Sequence, residues 1–154
     1  MDRTTDRAVM ALLLGGVALA TVTALYLPAL HVRSADRALL GLSSWQVVPV
    51  TTLLLFAALA AALAVHWVPR WRHLRLPVTV AAIVMLFVPP LAALAAGVSP
   101  GTEARALLVR HSGNAAPWVD PGWGTLVLLA AGSLIGLGLW REEHPAGAAE
   151  TPLH

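Results

Sequence analysis

The sequence predicts an all-α integral membrane protein with four transmembrane helices. Hydrophobic residues make up 58% of the 154-residue chain and charged residues make up 12%, about half the usual fraction in a soluble domain. The hydrophobic residues are concentrated in four stretches, each close to the roughly 20 residues that a helix needs to cross a bilayer. These predicted spans are residues 8–30, 47–68, 76–98 and 124–140.

The four spans are predicted to form one transmembrane domain, residues 1–140. The first span follows Arg3 and Arg7 and contains at 18–20 a small-x-small pattern that a signal peptidase could cleave. Its apolar run continues well past that point, whereas a signal peptide has an apolar core of only about 7 to 15 residues. We therefore expect it to remain as a span. Residues 141–154 are polar, small and proline-bearing, which predicts a disordered tail.

The arginines predict the orientation of the spans, because cytoplasmic loops of membrane proteins are enriched in basic residues. All ten basic residues are arginine, and alternating spans place six on one side and four on the other. The larger group includes a dense inner basic loop of Arg70, Arg72 and Arg75. We therefore expect that side, with both termini, to face the cytoplasm across the inner (plasma) membrane of a bacterial cell.

The tryptophans predict the two membrane interfaces, where an indole ring is sheltered while its N–H stays hydrated. Each of the six tryptophans falls at the end of a predicted span or in an adjacent loop, and none falls in mid-span. Two interfacial belts follow from this distribution. The predicted outer belt contains Trp45, Trp118 and Trp123, and the predicted inner belt contains Trp67, Trp71 and Trp140.

Each of the two outer loops is predicted to contain a short helix. In the first loop, Ser34 can cap a helix over residues 35–40. In the second loop, Thr102 can cap a helix that begins with Glu103, and Gly113 can end it. The inner loop between the second and third spans is short, so we expect those two helices to be antiparallel neighbours.

Two similar hexapeptides raise the question of an internal duplication. LYLPAL at residues 25–30 is similar to LFVPPL at 86–91, and the tetrapeptide RALL follows each of them, at 37–40 and at 105–108. The order fits two copies of one helical hairpin, but the second pair of segments is seven residues further apart than the first. A duplication and a chance similarity in a leucine-rich chain both remain open.

Pro89 and Pro90 lie in the middle of the third predicted span and predict a kink there. Proline lacks the N–H that a helix requires, and its ring clashes with the preceding turn. The carbonyl groups that lose their partners must find others in a neighbouring helix or in water. The kink could serve packing alone, or it could act as a hinge or gate.

Small residues in the first and fourth spans predict close helix packing. Gly132 and Gly136 form a GxxxG motif that is followed by Gly138, and such a motif lets another backbone approach closely. Gly15 and Gly16 in the first span are the candidate counterpart. The contact could lie within the four-helix bundle or with a separate protein.

The chain lacks the residues that several functional classes require. It has no cysteine, which excludes disulfides, thiolate metal sites and thiol redox chemistry. No charged residue lies in mid-span, which argues against a proton-coupled transporter, an acid-lined channel or a voltage sensor. A net charge of +2, divided between two faces, does not favour a nucleic-acid partner. No catalytic or cofactor motif is present, so we expect neither enzyme activity nor a cofactor.

The outer side carries the few residues that could bind a ligand. His31 and His111, supported by Asp36, Glu103 or Asp120, could hold zinc or copper, or they could be solvated histidines. Three outer arginines could bind lipid phosphates, or they could be solvated or snorkelling side chains. These arginines are Arg37, Arg105 and Arg110.

Several segments of the chain occur in an order that resembles one group of bacterial proteins. GLSSW at 41–45 continues to Pro49 and is followed by LLLFAALAAALAV at 53–65, a short arginine-rich turn and, before the last span, Pro117-Trp118. This arrangement resembles the small four-span membrane proteins encoded beside tryptophan-biosynthesis genes in some bacteria. The resemblance covers most of the chain, in composition and topology, although the first loop here is short and has a single tryptophan. That family has no settled activity, so the resemblance implies a four-span fold and no particular chemistry.

Together, these observations predict a non-enzymatic membrane protein that acts as an accessory or assembly subunit. It would use helix packing and outer-loop contacts, in the lipid bilayer, with another membrane protein or with copies of itself. Two alternatives stay open. One is a binder or carrier of a lipid or a quinone-like molecule, in a cleft at the Pro89–Pro90 kink. The other is a metal-dependent enzyme at the outer face.

Overall fold

The computed structural model describes residues 3–33, 39–99, 102–114 and 117–143. It is mostly helical, as predicted, and a small sheet accompanies the helices. The elements, in chain order, are α1 (Arg3–Tyr26), β1 (Pro28–Arg33), β2 (Leu39–Ser43), α2 (Ser44–Val47), α3 (Pro49–Trp67), a 3-10 helix (Pro69–Leu74), α4 (Arg75–Met85), α5 (Val88–Val98), α6 (Glu103–Ser112), β3 (Val119–Pro121) and α7 (Trp123–Glu143).

Four helical segments are long and apolar enough to cross a membrane, as the sequence predicts. They lie in α1, in α3, in the segment Pro69–Val98, which contains the 3-10 helix, α4 and α5, and in α7. Met10 of α1 contacts Trp67, and Glu142 of α7 contacts Arg75. The start of α1 and the end of α7 therefore share one end of the bundle with the 3-10 helix, and we call it the loop end. The opposite end, which carries the strands and α6, is the sheet end.

A three-stranded antiparallel sheet lies at the sheet end, so the all-α prediction is wrong there. β1 is the central strand, and Leu30 lies opposite Leu42 of β2 and Pro121 of β3. Leu30 and Val32 are buried and point to the same face. Hydropathy does not predict this sheet, because the leucine-rich strands also fit a helix and because β3 is far from β1 in sequence.

The first outer loop contains a strand where a helix is predicted. Leu39 and Leu40 belong to β2. The rest of the predicted helix, residues 35–38, and its cap Ser34 lie outside the described residues. Leu40 lies opposite Val32 of β1. Backbone N–H and C=O groups need hydrogen-bond partners, which a helix would supply within itself. In this segment, pairing with β1 supplies them instead.

The predicted helix of the second outer loop is confirmed as α6. It begins at Glu103, and the side chain of Thr102 accepts a hydrogen bond from the Arg105 backbone N–H at 3.1 Å. Gly113 follows the helix with a φ of 65°, in the left-handed conformation that glycine adopts without steric cost. Both boundary signals are local in sequence, which is why sequence analysis finds them.

Prolines set the ends of the first two spans. α1 ends at Tyr26 rather than at residue 30, because Pro28 disfavours a helical conformation at the preceding residue and instead begins β1. The second predicted span, residues 47–68, is broken at Val48, whose φ and ψ are −137° and 66°. Pro49 then begins α3, a position where its missing N–H costs no hydrogen bond.

The third span is interrupted at the predicted proline site. A turn at Leu86 and Phe87 separates α4 from α5. Pro89 and Pro90 lie in the first turn of α5, where N–H groups have no partner within the helix. Both prolines are buried, so the surrounding side chains fill the interruption.

Two hydrophobic clusters stabilise the fold. The larger cluster runs along the bundle and includes Leu13 of α1, Leu55 of α3 and Ile135 of α7. The smaller cluster lies at the sheet end and joins Leu30 of β1 to Leu108 of α6. The sheet end therefore has a core of its own, which fixes its strands and α6 relative to the spans.

The two similar hexapeptides have different structures. Residues 25–30 pass from α1 into β1, whereas residues 86–91 pass from the turn into α5. The second RALL segment, 105–108, is helical, whereas the described part of the first, residues 39–40, lies in β2. Within the described residues the sequence similarity has no structural counterpart, which favours chance over duplication.

Candidate functional site

Polar side chains with defined partners lie at both ends of the bundle. At the loop end, Arg75, Glu142 and His66 form a connected set that we call the loop-end network. At the sheet end, Arg105 connects α5 to α6, and Trp118 is held in an exposed position. These arrangements are the candidates for a functional site.

Arg75, the first residue of α4, is the centre of the loop-end network. Its Nε donates a hydrogen bond to the Val65 carbonyl at 3.3 Å, and its Nη2 donates to the His66 carbonyl at 3.0 Å. Its Nη1 donates to Glu142 Oε1, and the two side chains form an ion pair. The last carbonyl groups of a helix lack partners within it and attract cations. Arg75 therefore caps α3 while it pairs with α7.

His66 is buried, with only 3% of its side chain exposed. Its Nδ1 lies 2.7 Å from the Ala62 carbonyl oxygen, and its Nε2 lies 3.1 Å from Glu142 Oε2. A carbonyl oxygen only accepts hydrogen bonds, so Nδ1 carries a proton and donates it.

The loop-end network ties the spans together rather than presenting a reactive group. It joins α3, α4 and α7, and a hydrogen bond of 3.4 Å from Trp67 Nε1 to Met10 Sδ adds α1. Both oxygens of Glu142 and both ring nitrogens of His66 face partners within the protein. Separating the partners of a mostly buried ion pair leaves an uncompensated charge, which is unfavourable. The pair therefore holds the ends of α4 and α7 together.

Sequence analysis missed Glu142, because it placed this residue in the predicted tail. Residues 141–143 instead extend α7, and the rest of the predicted tail lies outside the described residues. The length of the fourth predicted span could have revealed the extension. Residues 124–140 form a helix only about 26 Å long, shorter than the roughly 30 Å hydrocarbon core of a bilayer.

Arg105 and Thr102 hold α5 and α6 together at the sheet end. Thr102 Oγ1 donates a hydrogen bond to the Ala96 carbonyl at 2.7 Å. Arg105 Nη1 donates to the Gly97 carbonyl at 2.9 Å and to the Pro117 carbonyl at 3.3 Å. Arg105 thus caps the end of α5 as Arg75 caps the end of α3.

The three predicted phosphate-binding arginines have different surroundings. Arg105 is half-buried and engaged with backbone carbonyl groups, whereas Arg110 is exposed on the last turn of α6. Arg37 lies outside the described residues. Phosphate binding by these arginines therefore stays a prediction, and the structure brings Arg105 and Arg110 into no shared site.

The two candidate metal ligands do not form a metal site within the described residues. His31 is half-buried in β1, opposite Asp120, whereas His111 is exposed on α6. Nowhere in the described part of the chain do three His, Cys, Asp or Glu side chains form a group that could hold a metal ion. Asp36, the other predicted supporting residue, lies outside that part.

Gly16 marks the closest approach between α1 and α7. A Cβ atom at Gly16 would lie 2.6 Å from Ile135 Cγ1 and 3.0 Å from the Ala131 carbonyl oxygen. The neighbouring Gly15 is exposed, and a Cβ atom there would meet nothing within 4 Å. Gly16 is therefore the packing glycine of the first span that lies at the contact between α1 and α7, and Gly15 is not.

The glycines of α7 face other spans of the same bundle. A Cβ atom at Gly132 would lie 3.2 Å from Leu86 Cδ1, and one at Gly136 would lie 4.0 Å from Ile83 Cδ1. A Cβ atom at Gly138 would lie 3.4 Å from side-chain atoms of α1. The GxxxG motif thus contacts the α4–α5 unit, and Gly138 contacts α1.

All six tryptophans are exposed, three at each end of the bundle. Trp118 and Trp123 have almost equal exposed fractions, 68% and 67%, but different positions. Trp123 begins α7, whereas Trp118 lies at the end of the sheet that is farther from the spans. Trp118 precedes β3 and Trp123 follows it, so the three residues of that strand, about 10 Å at roughly 3.3 Å per residue, lie between them.

Three exposed side chains lie next to one another at the far end of the sheet. Arg33 of β1 is paired with Leu39 of β2, and the Arg33 N–H donates a hydrogen bond to the Trp118 carbonyl at 3.2 Å. Opposed residues of antiparallel strands project to the same face. Leu39, Arg33 and Trp118 therefore form a row across the sheet, which we call the strand-end row. The indole N–H of Trp118 donates to Asp120 Oδ1 at 2.9 Å, which orients the exposed ring.

Comparison with known proteins finds no relative from which a function could be transferred. The chain matches no protein-family model, no curated protein and no solved structure at a significant level. The resemblance to the four-span proteins of tryptophan operons therefore stays a prediction. Functional inference depends on the two ends of the bundle and on the surfaces that they expose.

Proposed function

We propose that the chain is an integral protein of a bacterial inner membrane, with the loop end in the cytoplasm and the sheet end outside. The four long apolar segments support membrane insertion. Exposed Arg70 and Arg72 at the loop end support the orientation, because basic residues are enriched in cytoplasmic loops. The bacterial assignment rests on the resemblance in segment order and topology.

In that membrane, the protein acts as a non-enzymatic accessory or assembly subunit. It docks to another membrane protein, or to a second copy of itself, through the strand-end row of Leu39, Arg33 and Trp118. The observation that carries this proposal is Trp118, a large aromatic side chain that is 68% exposed although Asp120 holds its ring in one orientation.

An exposed and oriented aromatic ring is well suited to protein binding. Tryptophan and arginine are over-represented among the residues that dominate the binding energy of interfaces. A side chain that is already held in place loses little conformational freedom when it binds, so more of the contact energy appears as affinity. The separate core at the sheet end supports the row from below through Val32, the buried neighbour of Arg33.

Site-specific photocrosslinking in intact membranes tests the proposal. A photoreactive amino acid replaces Trp118 in one variant and Trp123 in the matched control, because the two positions are equally exposed. The expected result is one reproducible protein adduct from position 118 and mainly lipid adducts from position 123. Adducts with lipid alone, or the same protein adducts from both positions, would reject docking through the strand-end row.

The two alternative functions gain no support from the described residues. A lipid or quinone carrier requires a cleft at the kink, but Pro89 and Pro90 are buried there. A metal-dependent enzyme requires a ligand set, and His31 and His111 belong to no such group. Docking as an accessory subunit is therefore the function that a specific surface feature supports.

A further inference from the structure

The 3-10 helix presents three polar side chains that the loop-end network does not use. Arg70, Arg72 and His73 are all exposed, and we call them the basic turn. In residues 3–33, 39–99, 102–114 and 117–143, none of the three has a side-chain hydrogen bond or ion pair. The neighbouring Arg75, in contrast, is paired with Glu142. The charges of Arg70 and Arg72 are therefore available to a ligand.

The backbone of the basic turn is held from both sides. The Trp71 N–H donates a hydrogen bond to the Val68 carbonyl at 3.0 Å, and the Val68 N–H donates to the Ala64 carbonyl at 3.0 Å. After the turn, Arg75 is bound to the carbonyl groups at the end of α3. A ligand of the basic turn would therefore not have to order the backbone, which favours binding.

The 3-10 helix also presents apolar side chains among its basic ones. Its backbone departs from regular helical geometry at Trp71, whose φ and ψ are −99° and 17°, and no residue of Pro69–Leu74 is buried. Trp71 and Leu74 are exposed large apolar side chains. A short segment that exposes both basic and large apolar side chains is typical of a membrane surface.

We infer that the basic turn binds the phosphate-bearing headgroups of anionic phospholipids in the leaflet at the loop end. Trp71 and Leu74 extend toward the acyl chains, and Arg70 and Arg72 contact phosphate oxygens, for which the guanidinium group has matching charge and geometry. The inference rests on the membrane location in the proposed function and does not depend on the strand-end row. An acidic protein segment could also attract two arginines, but it would leave the exposure of Trp71 and Leu74 unexplained.

Lipid titration of the purified full-length protein tests the inference. Native mass spectrometry of delipidated protein in detergent measures its affinity for phosphatidylglycerol, with phosphatidylcholine of equal chain length as the neutral comparison. The variant Arg70→Gln/Arg72→Gln is expected to lose affinity for phosphatidylglycerol roughly 10- to 30-fold, from two contacts with the anionic headgroup. Its affinity for phosphatidylcholine should not change. The variant Arg70→Lys/Arg72→Lys keeps both charges and should retain most of the binding.

The matched control is Arg7→Gln/Arg141→Gln, which removes the same charge from two exposed positions near the loop end that lie outside the basic turn. Its affinity for phosphatidylglycerol should stay close to that of the wild type. No loss in the basic-turn variant, or an equal loss in both double variants, would overturn the inference. Crosslinking at the basic turn tests for a protein partner. If the basic-turn variant kept its lipid affinity but lost an acidic protein that crosslinks to the wild type, a protein partner would replace the lipid and the inference would be overturned. Flotation of the wild type with lipid vesicles tests the membrane location separately.

Discussion

At the scale of single residues, two adjacent glycines of α1 have opposite environments. Gly16 faces α7, where a Cβ atom would meet Ile135 and the backbone carbonyl of Ala131. Gly15 faces open space. A side-chain carbon can move by rotation, but the carbonyl oxygen can move only with the α7 backbone. The tolerance of the two positions to a methyl group should therefore differ.

We predict that Gly16→Ala destabilises the bundle, because the added methyl group forces α1 and α7 apart. Overpacking of this kind typically costs about 1–3 kcal/mol. Thermal unfolding of the purified protein in mild detergent is the measurement, and Gly15→Ala is the matched control. The control should unfold at or slightly above the wild-type temperature, because alanine favours the helix over glycine. Equal effects of the two substitutions would show that α1 and α7 do not pack through Gly16.

At the scale of elements, arginine caps join consecutive helices at both ends of the bundle. Arg75 binds the last carbonyl groups of α3, and Arg105 binds the Gly97 carbonyl of α5. Among the described residues, Arg75 has an acidic partner, Glu142, and Arg105 has none. The loop-end cap therefore links the hairpin of α3 and α4 to α7, which is distant in sequence.

We predict that Glu142→Gln weakens this link. The substitution leaves the mostly buried Arg75 without a compensating charge, and losing a charged hydrogen-bond partner costs about 1–3 kcal/mol. A double-mutant cycle with Arg75→Gln measures the coupling between the two side chains from their unfolding free energies. Glu103→Gln, which removes a charge from an exposed position on α6, is the control and should have little effect. A coupling energy near zero would remove the ion pair from the forces that hold α7.

The elements differ in how far the sequence predicts them. The four spans follow from hydropathy, and α6 follows from the caps Thr102 and Gly113, because both signals are local. The sheet depends on pairing between β1, β2 and β3, and a single sequence without local alternation does not record which segments pair. The loop-end network likewise joins Glu142 to His66 and Arg75, which are 76 and 67 residues away in sequence. Sequence analysis named Trp118, Arg75 and Arg105 of the candidate site and both arginines of the basic turn, but it did not predict the environments of these residues.

At the scale of the whole molecule, the first and last helices pack against each other, and both ends of the described chain lie near the loop end. An even number of spans is consistent with that arrangement. The proposed orientation places the loop end in the cytoplasm. The chain has no cysteine, so any label found on a single-cysteine variant reports the position of the introduced thiol.

We predict opposite labelling of His73→Cys and His111→Cys by a membrane-impermeant maleimide in bacterial spheroplasts. Both positions are exposed, His73 at the loop end and His111 at the sheet end. His111→Cys should react in intact spheroplasts, and His73→Cys should react only after the membrane is permeabilised, because basic loops are retained in the cytoplasm. The reverse pattern would invert the proposed orientation, and labelling of both thiols before permeabilisation would exclude four spans.

The packing of α1 against α7 also has a consequence for biosynthesis. About 100 residues separate the end of α1 from the start of α7, which a ribosome takes on the order of 5–20 s to translate. In the proposed membrane location, the newly made α1 stays in the bilayer throughout that interval with its Gly16 surface uncovered, while the middle of the chain can already assemble. An insertion factor or chaperone that shields small-residue helix faces would act on this protein in that interval.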